Sequence, residues 1–232
     1  MMDVQTVMYV VTAIAGLITV ISGARVLHLL FQGDAVSDAF SDSHHEVYML
    51  ILFGYSLFAL GEICWTLIFM QQGKDVLYSA MPDFYWMVGG ILILLGVTYG
   101  AFRVVSDSKK SSSYAPLVFI GVVASGALMY FISPLLGLGA SDTGSSYALI
   151  YPAISFATVI ASGILYYFAN DEYYKLLKPL LFISMAFFVG DVLFAMLGDA
   201  YGTLGVASDL LYVGAYLATA VMFFHKHKAI SD

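Results

Sequence analysis

Seven apolar runs alternate with short polar segments along the chain. A membrane-spanning helix needs about 20 mostly apolar residues. The runs at 5–31, 47–71, 82–104, 114–137, 147–169, 179–198 and 208–226 meet that length. Between them lie GDAVSDAFSDSHHE, QQGKDVLYSA, VSDSKKSSS, GASDTGSS, NDEYYKLLK and GDAYGTLGVA. The pattern predicts an all-α, integral membrane seven-helix bundle, with residues 1–232 forming a single transmembrane domain. The two-residue alternation of a membrane β-barrel is absent. Pro82 and Pro179 fall in the predicted first turns of spans three and six, where a missing N–H costs nothing. Pro134 and Pro152 lie near the ends of spans four and five, where each can bend its helix. The opening MMDVQT has no basic stretch and runs straight into a full-length span, unlike a cleaved signal peptide.

Composition narrows the class. Of 232 residues, 61% are hydrophobic and 11% charged, against about 25% charged in a typical soluble domain. One core cannot hide that much apolar surface from water, so the expected surroundings are a lipid bilayer, that of the cell membrane. The single cysteine, Cys64, permits neither an internal disulfide nor a cysteine metal cage. A formal charge of −7 argues against nucleic acid as a partner.

Charge also predicts orientation. With the N-terminus outside, the inner side receives Arg25, Arg103, Lys109, Lys110, Lys175, Lys178, Lys226 and Lys228, and the outer side only Lys74. Positive residues concentrate on the cytoplasmic side of membrane proteins, so the chain reads as N-outside and C-inside.

The chain also resembles itself. Span two carries Phe58, Gly61-Glu62 and Trp65; span six carries Phe187, Gly190-Asp191 and Phe194 at the same spacing. Span three opens with Asp83 and Trp86, span seven with Asp209 and Tyr212. TVISG at 19–23 in span one matches TVIASG at 158–163 in span five. The reading is a parallel 3+1+3 repeat, with halves at about 5–104 and 147–226 and span 114–137 as linker.

Glu62, Asp191, Asp83 and Asp209 are the residues most informative about function. An ionisable group at bilayer depth costs about 2.5–3.5 kcal/mol on insertion scales, faces the bundle interior and is a functional candidate. All four fall in the predicted outer half, with no basic residue at their depth. Asp83 and Asp209, opening their spans, read first as helix caps. Glu62 and Asp191 have apolar neighbours on both sides. Each is expected either to be tied to a Tyr or Ser on another helix or to hold a ligand. Trp86 and Tyr212, one turn beyond Asp83 and Asp209, complete the candidate ligand- or cation-binding set, and no catalytic residue is assigned. Oxygen-rich acids suit a hard cation or a proton, but the spacing selects no particular metal.

Other signals fall away. Seven spans and an outside N-terminus match the topology of microbial rhodopsins. A retinal Schiff base, however, needs a Lys in the middle of span seven, where SDLLYVGAYLATAVMFF has none; covalent retinal is excluded and no other cofactor is predicted. His28, His44, His45, His225 and His227 cluster near the predicted inner surface and read as solvated. Gly96-x-x-x-Gly100 and Gly121-x-x-x-Ser125 are small-residue helix contacts, within the chain or in a homo-oligomer. Tyr166, Tyr167, Tyr173 and Tyr174 read as an interfacial belt, and Trp65 and Trp86 read first the same way.

GEICW (61–65), PDFYWMVGG (82–90), GDVLF (190–194) and SDLLYVGAYL (208–217) together resemble the multi-span membrane sensor modules that precede diguanylate cyclase or histidine kinase domains in prokaryotes. The resemblance implies a sensor, with an output domain beyond the last helix. The sequence ends at Asp232, shortly after span seven, so a sensor is expected either to signal through a separate cytoplasmic or membrane partner or to be part of a longer chain. Three functions compete. The first is a sensor or receptor-like module with an outward-facing pocket. The second is a small cation- or proton-coupled transporter or channel, which needs a polar path continuing to the inner side; Ser22, Thr19, Thr98 and Tyr99 are the candidates. The third is a lipid-acting enzyme with paired carboxyls as acid and base, for which sequence places no such pair.

Overall fold

The computed structural model describes residues 3–32, 43–73, 80–108, 111–138, 147–169, 172–175, 177–196 and 201–231. Among them every regular element is helical. The seven long helices are α1 (Val4–Gln32), α2 (Ser43–Gln72), α3 (Ala80–Ser106), α4 (Ala115–Ile132), α5 (Tyr147–Phe168), α6 (Leu180–Ala195) and α7 (Thr203–Ser231). Short 3₁₀ turns flank α4 at Ser112–Tyr114 and Ser133–Leu136, and a one-turn helix, Glu172–Lys175, precedes α6. Six of the long helices are long and apolar enough to cross a membrane; α6 is apolar but shorter, at 16 residues. Large apolar side chains such as Ile21, Phe53, Val123, Phe131 and Phe182 face outward, as the surface of a lipid-embedded bundle requires.

Local chemistry sets the helix ends. Asp3 caps α1: its Oδ1 accepts hydrogen bonds from the Thr6 hydroxyl (2.6 Å) and the Thr6 backbone N–H (2.7 Å), satisfying a donor the first turn leaves open. Pro179 is the residue before α6, and Pro82 lies in the first turn of α3, both positions that tolerate its missing N–H. After α4, Gly137 takes a left-handed conformation at φ 78°, and the turn closes through Leu138 N–H to the Ser133 carbonyl at 3.1 Å. Glycine has no Cβ to oppose that conformation. Pro152 is inside α5, in its second turn.

Six helices form a closed ring in the order α1, α2, α3, α5, α6, α7 and back to α1. α4 packs outside that ring, against α5 and α3. The ring closes between α1 and α7, where the Thr19 hydroxyl donates to the Tyr216 carbonyl at 2.7 Å. Close approach elsewhere depends on missing side chains. A Cβ on Gly54 of α2 would lie 2.7 Å from the Gly89 carbonyl oxygen of α3. One on Gly96 of α3 would meet Leu50 and Ile51 of α2 at 3.0 and 3.1 Å, so Gly96 is the predicted small-residue contact. Gly121 makes no such contact within the chain: no atom lies within 4 Å of where its Cβ would be, because α4 turns that face away from the bundle.

The bundle has two ends. One carries the N-terminus and the starts of α3, α5 and α7; the other carries the ends of α1, α3, α5 and α7. These are called the amino and carboxy ends below. At the carboxy end Leu165, Ala169, Tyr174, Leu177 and Leu180 are all at most 2% exposed. Tyr174 is therefore core rather than belt, whereas Tyr166 and Tyr167 are exposed as a belt requires. The side chain of Tyr173 lies outside the described residues, as do those of His44, His227, Lys74, Lys109, Lys110, Lys226 and Lys228.

Candidate functional site

A cavity of about 100 Å³ lies inside the six-helix ring. Glu62, Asp191 and Asp209 line it, as do Trp86 and Tyr212. Asp83, the sixth predicted residue, does not. It lies behind Tyr151, whose ring faces the cavity and whose hydroxyl donates to Asp83 Oδ1 at 2.5 Å. The other oxygen, Asp83 Oδ2, is buried without a hydrogen-bond partner.

Each acid is held by a tyrosine. Tyr216 of α7 donates to Glu62 Oε1 of α2 at 3.0 Å. Tyr212 of α7 donates to Asp191 Oδ1 of α6 at 2.8 Å. Tyr201 donates to Asp209 Oδ2. The expectation that buried carboxyls would be tied to hydroxyls on neighbouring helices is met at Glu62 and Asp191. These bonds matter because a polar group taken from water without a partner costs several kcal/mol.

One expectation about the acids changes. Asp209 does not cap a helix: α7 begins at Thr203, five residues earlier than the apolar run suggested, so Asp209 falls in the second turn. The extra turn leads into Ser208, whose hydroxyl donates to the Gly190 carbonyl at 2.9 Å and ties α7 to α6. Asp83 is in the first turn of α3, where the positive helix end favours a carboxylate.

The walls are aromatic. Trp65 and Trp86 are not interfacial: their ring centroids are 5.6 Å apart, both line the cavity, and Trp65 packs edge-on against Tyr9. Deeper in the ring, Phe187 meets Phe58 at 5.6 Å, Tyr216 at 5.4 Å and Tyr212 at 5.9 Å. No Lys, Arg or His lines the cavity among the described residues.

Two close contacts share one geometry. A Cβ on Gly61 would lie 2.5 Å from Trp86 Nε1, and a Cβ on Gly190 would lie 2.7 Å from Tyr212 Cε1. Each glycine precedes a cavity acid, and its lack of a side chain lets the ring of the following long helix approach it closely.

The polar path toward the carboxy end differs from the expected one. Thr19 is committed to the Tyr216 and Ala15 carbonyls; Ser22, Thr98 and Tyr99 do not line the cavity. Instead Tyr151, Ser155, Thr158 and Ser162 of α5 line it together with Ser184 of α6. Their spacing of four, three and four residues places the α5 set on one helix face. That signal was present in the sequence and was missed because α5 carries no charge. The path ends at the Ser184 hydroxyl, which donates to Ser162 Oγ at 3.0 Å, next to the buried leucines of the carboxy end.

Among the described residues no group of three or more His, Cys, Asp or Glu is placed to hold a metal ion. Comparison of the chain with protein families, with curated proteins and with solved structures returned no match.

Proposed function

We propose that this chain is a seven-helix membrane sensor or receptor-like module that binds a small polar or cationic ligand in the cavity and signals through a partner protein. One observation carries the reading: Glu62, Asp191 and Asp209 converge, with aromatic walls, on a cavity that stops short of the carboxy end. Leu165, Leu177 and Leu180 are at most 2% exposed there, and an apolar plug of that kind suits a binding pocket better than a conduction path. Leu180 and Ser184 line the floor of the cavity at the start of α6. A ligand that prefers one packing of this floor shifts the population of the α5–α6 connection, which a partner reads. The resemblance to prokaryotic sensor modules points the same way.

The finer architecture belongs to this proposal. The orientation is N-outside and C-inside, supported by Arg25, Arg103, Lys175 and Lys178, which all lie toward the carboxy end. The 3+1+3 repeat is supported by the six-helix ring. Exchanging α1, α2 and α3 with α5, α6 and α7 maps the ring onto itself and leaves only α4 outside. It also maps the Gly61–Trp86 contact onto the Gly190–Tyr212 contact.

The hydroxyl face of α5 favours a second reading, a proton- or cation-coupled transporter in which the plug opens. Flux of protons, Na⁺ and K⁺ into proteoliposomes separates the two. The sensor reading expects no flux above that of empty liposomes. Flux that disappears in Glu62→Gln/Asp191→Asn overturns it.

A further inference from the structure

Resting on the binding-pocket reading, we infer that the cavity takes a small alkylammonium ion, a primary or secondary amine of a few carbons, with Asp191 as its main counter-charge. Three features of the cavity select that chemistry.

The first is charge. Carboxyls line the cavity and, among the described residues, no cationic side chain does. Tyrosine hydroxyls engage one oxygen each of Glu62 and Asp191. A charged N–H donor forms hydrogen bonds to a carboxylate that are about twice as strong as neutral ones.

The second is the walls. Trp86, Tyr212, Phe187 and Phe58 surround the acids. Aromatic faces attract cations, by about 2 kcal/mol or more where water is excluded. They are poor ligands for Ca²⁺ or Mg²⁺, which need six or more oxygens. With no metal-holding group among the described residues, an organic cation fits where a metal ion does not.

The third is size and asymmetry. An apolar cavity of about 150 Å³ admits benzene; this one, at about 100 Å³, suits a molecule of a few heavy atoms. In the repeat frame Tyr216, which covers Glu62, corresponds to Gly90. Gly90 lines the cavity without filling it: its Cβ would meet Ile154 at 3.2 Å. Asp191 keeps its bond from Tyr212, but α3, which carries Gly90, presents no counterpart of the Tyr216 ring beside it, so that side of the cavity is the one left for a ligand.

The protein supplies its own reporter. Its two tryptophans, Trp65 and Trp86, both line the cavity, so intrinsic tryptophan emission reads occupancy directly. The full chain in nanodiscs at neutral pH is titrated separately with n-butylamine, 1-butanol and butyrate. A saturable change with n-butylamine is expected at a concentration at least tenfold below that needed for 1-butanol, with no change from butyrate. Asp191→Asn is expected to raise the half-saturating n-butylamine concentration at least tenfold and to leave the 1-butanol response alone. Equal responses to amine and alcohol, or an amine response unchanged in Asp191→Asn, overturn the cationic assignment. A saturable response to 1-butanol alone overturns it too, while leaving the pocket standing. No response to any probe overturns the pocket and this inference together. The three-probe comparison on the unaltered protein decides the question even if Asp191→Asn fails to fold.

Discussion

At Gly61 and Gly190 the missing side chain is the functional feature. Each gives up its Cβ so that Trp86 or Tyr212 can lie against the helix carrying the acid. Gly190→Ala drives a methyl group into the Tyr212 ring. Overpacking a well-filled site costs about 1–3 kcal/mol, and here it also displaces the hydroxyl that donates to Asp191. A lower melting temperature together with a changed Trp emission is the expected outcome; a change in neither contradicts the placement of Tyr212. Thr19→Val tests the ring closure in the same way. It removes the hydroxyl that reaches the Tyr216 carbonyl and keeps the volume. The expected loss is about 0.5–1.5 kcal/mol, read by chemical denaturation in detergent. The acids were legible in the sequence because an ionisable residue in an apolar run costs too much to be casual. Their tyrosine partners were not. Tyr216 and Glu62 are 154 positions apart, and nothing in the spacing pairs them.

At the scale of helices, most boundaries followed from apolar run length. The exceptions have local causes. The GDAYGTLGVA segment is polar and glycine-rich and read as a connection, yet α7 begins within it at Thr203. The position of α4 was not legible at all. It is as apolar as its neighbours, and only tertiary packing shows that it lies outside the ring. Substitutions should divide accordingly. Gly121→Ala on the open face of α4 meets nothing and is expected to hold stability or raise it by up to about 1 kcal/mol, alanine being the better helix former. Gly54→Ala, whose methyl would press on the Gly89 carbonyl, is expected to separate α2 from α3 and sharply lower the melting temperature. Equal effects from the two would contradict the ring.

The start of α1 adds a pH dependence. Hydrogen bonds from the Thr6 hydroxyl and then the Thr6 N–H hold the Asp3 carboxyl below its ordinary value of 3.8. A carboxyl lowered on folding stabilises fully above its unfolded value and loses that contribution as pH falls through the folded one. Amide exchange in the first turn of α1 should therefore quicken as pH drops below about 3.8, after correction for intrinsic rates. Asp3→Asn should abolish that extra quickening.

For the molecule as a whole, length, charge and periodicity made the membrane bundle legible, and the proposed repeat offers a frame for the ring. They did not show whether acids from both halves face one space, since that depends on how six helices close. The most direct measurement is a short-range cross-link across the cavity. Cys64 is the chain's single cysteine, so Cys64→Ser gives a clean background for Glu62→Cys/Asp191→Cys, with Glu62→Cys/Tyr216→Cys as the control pair. After treatment with a short bifunctional thiol reagent, one bridged adduct joining the peptides around 62 and 191 is expected by mass spectrometry, as in the control. Separate single-site adducts at 62 and 191, with a bridge only in the control, would contradict a shared chamber and the function built on it.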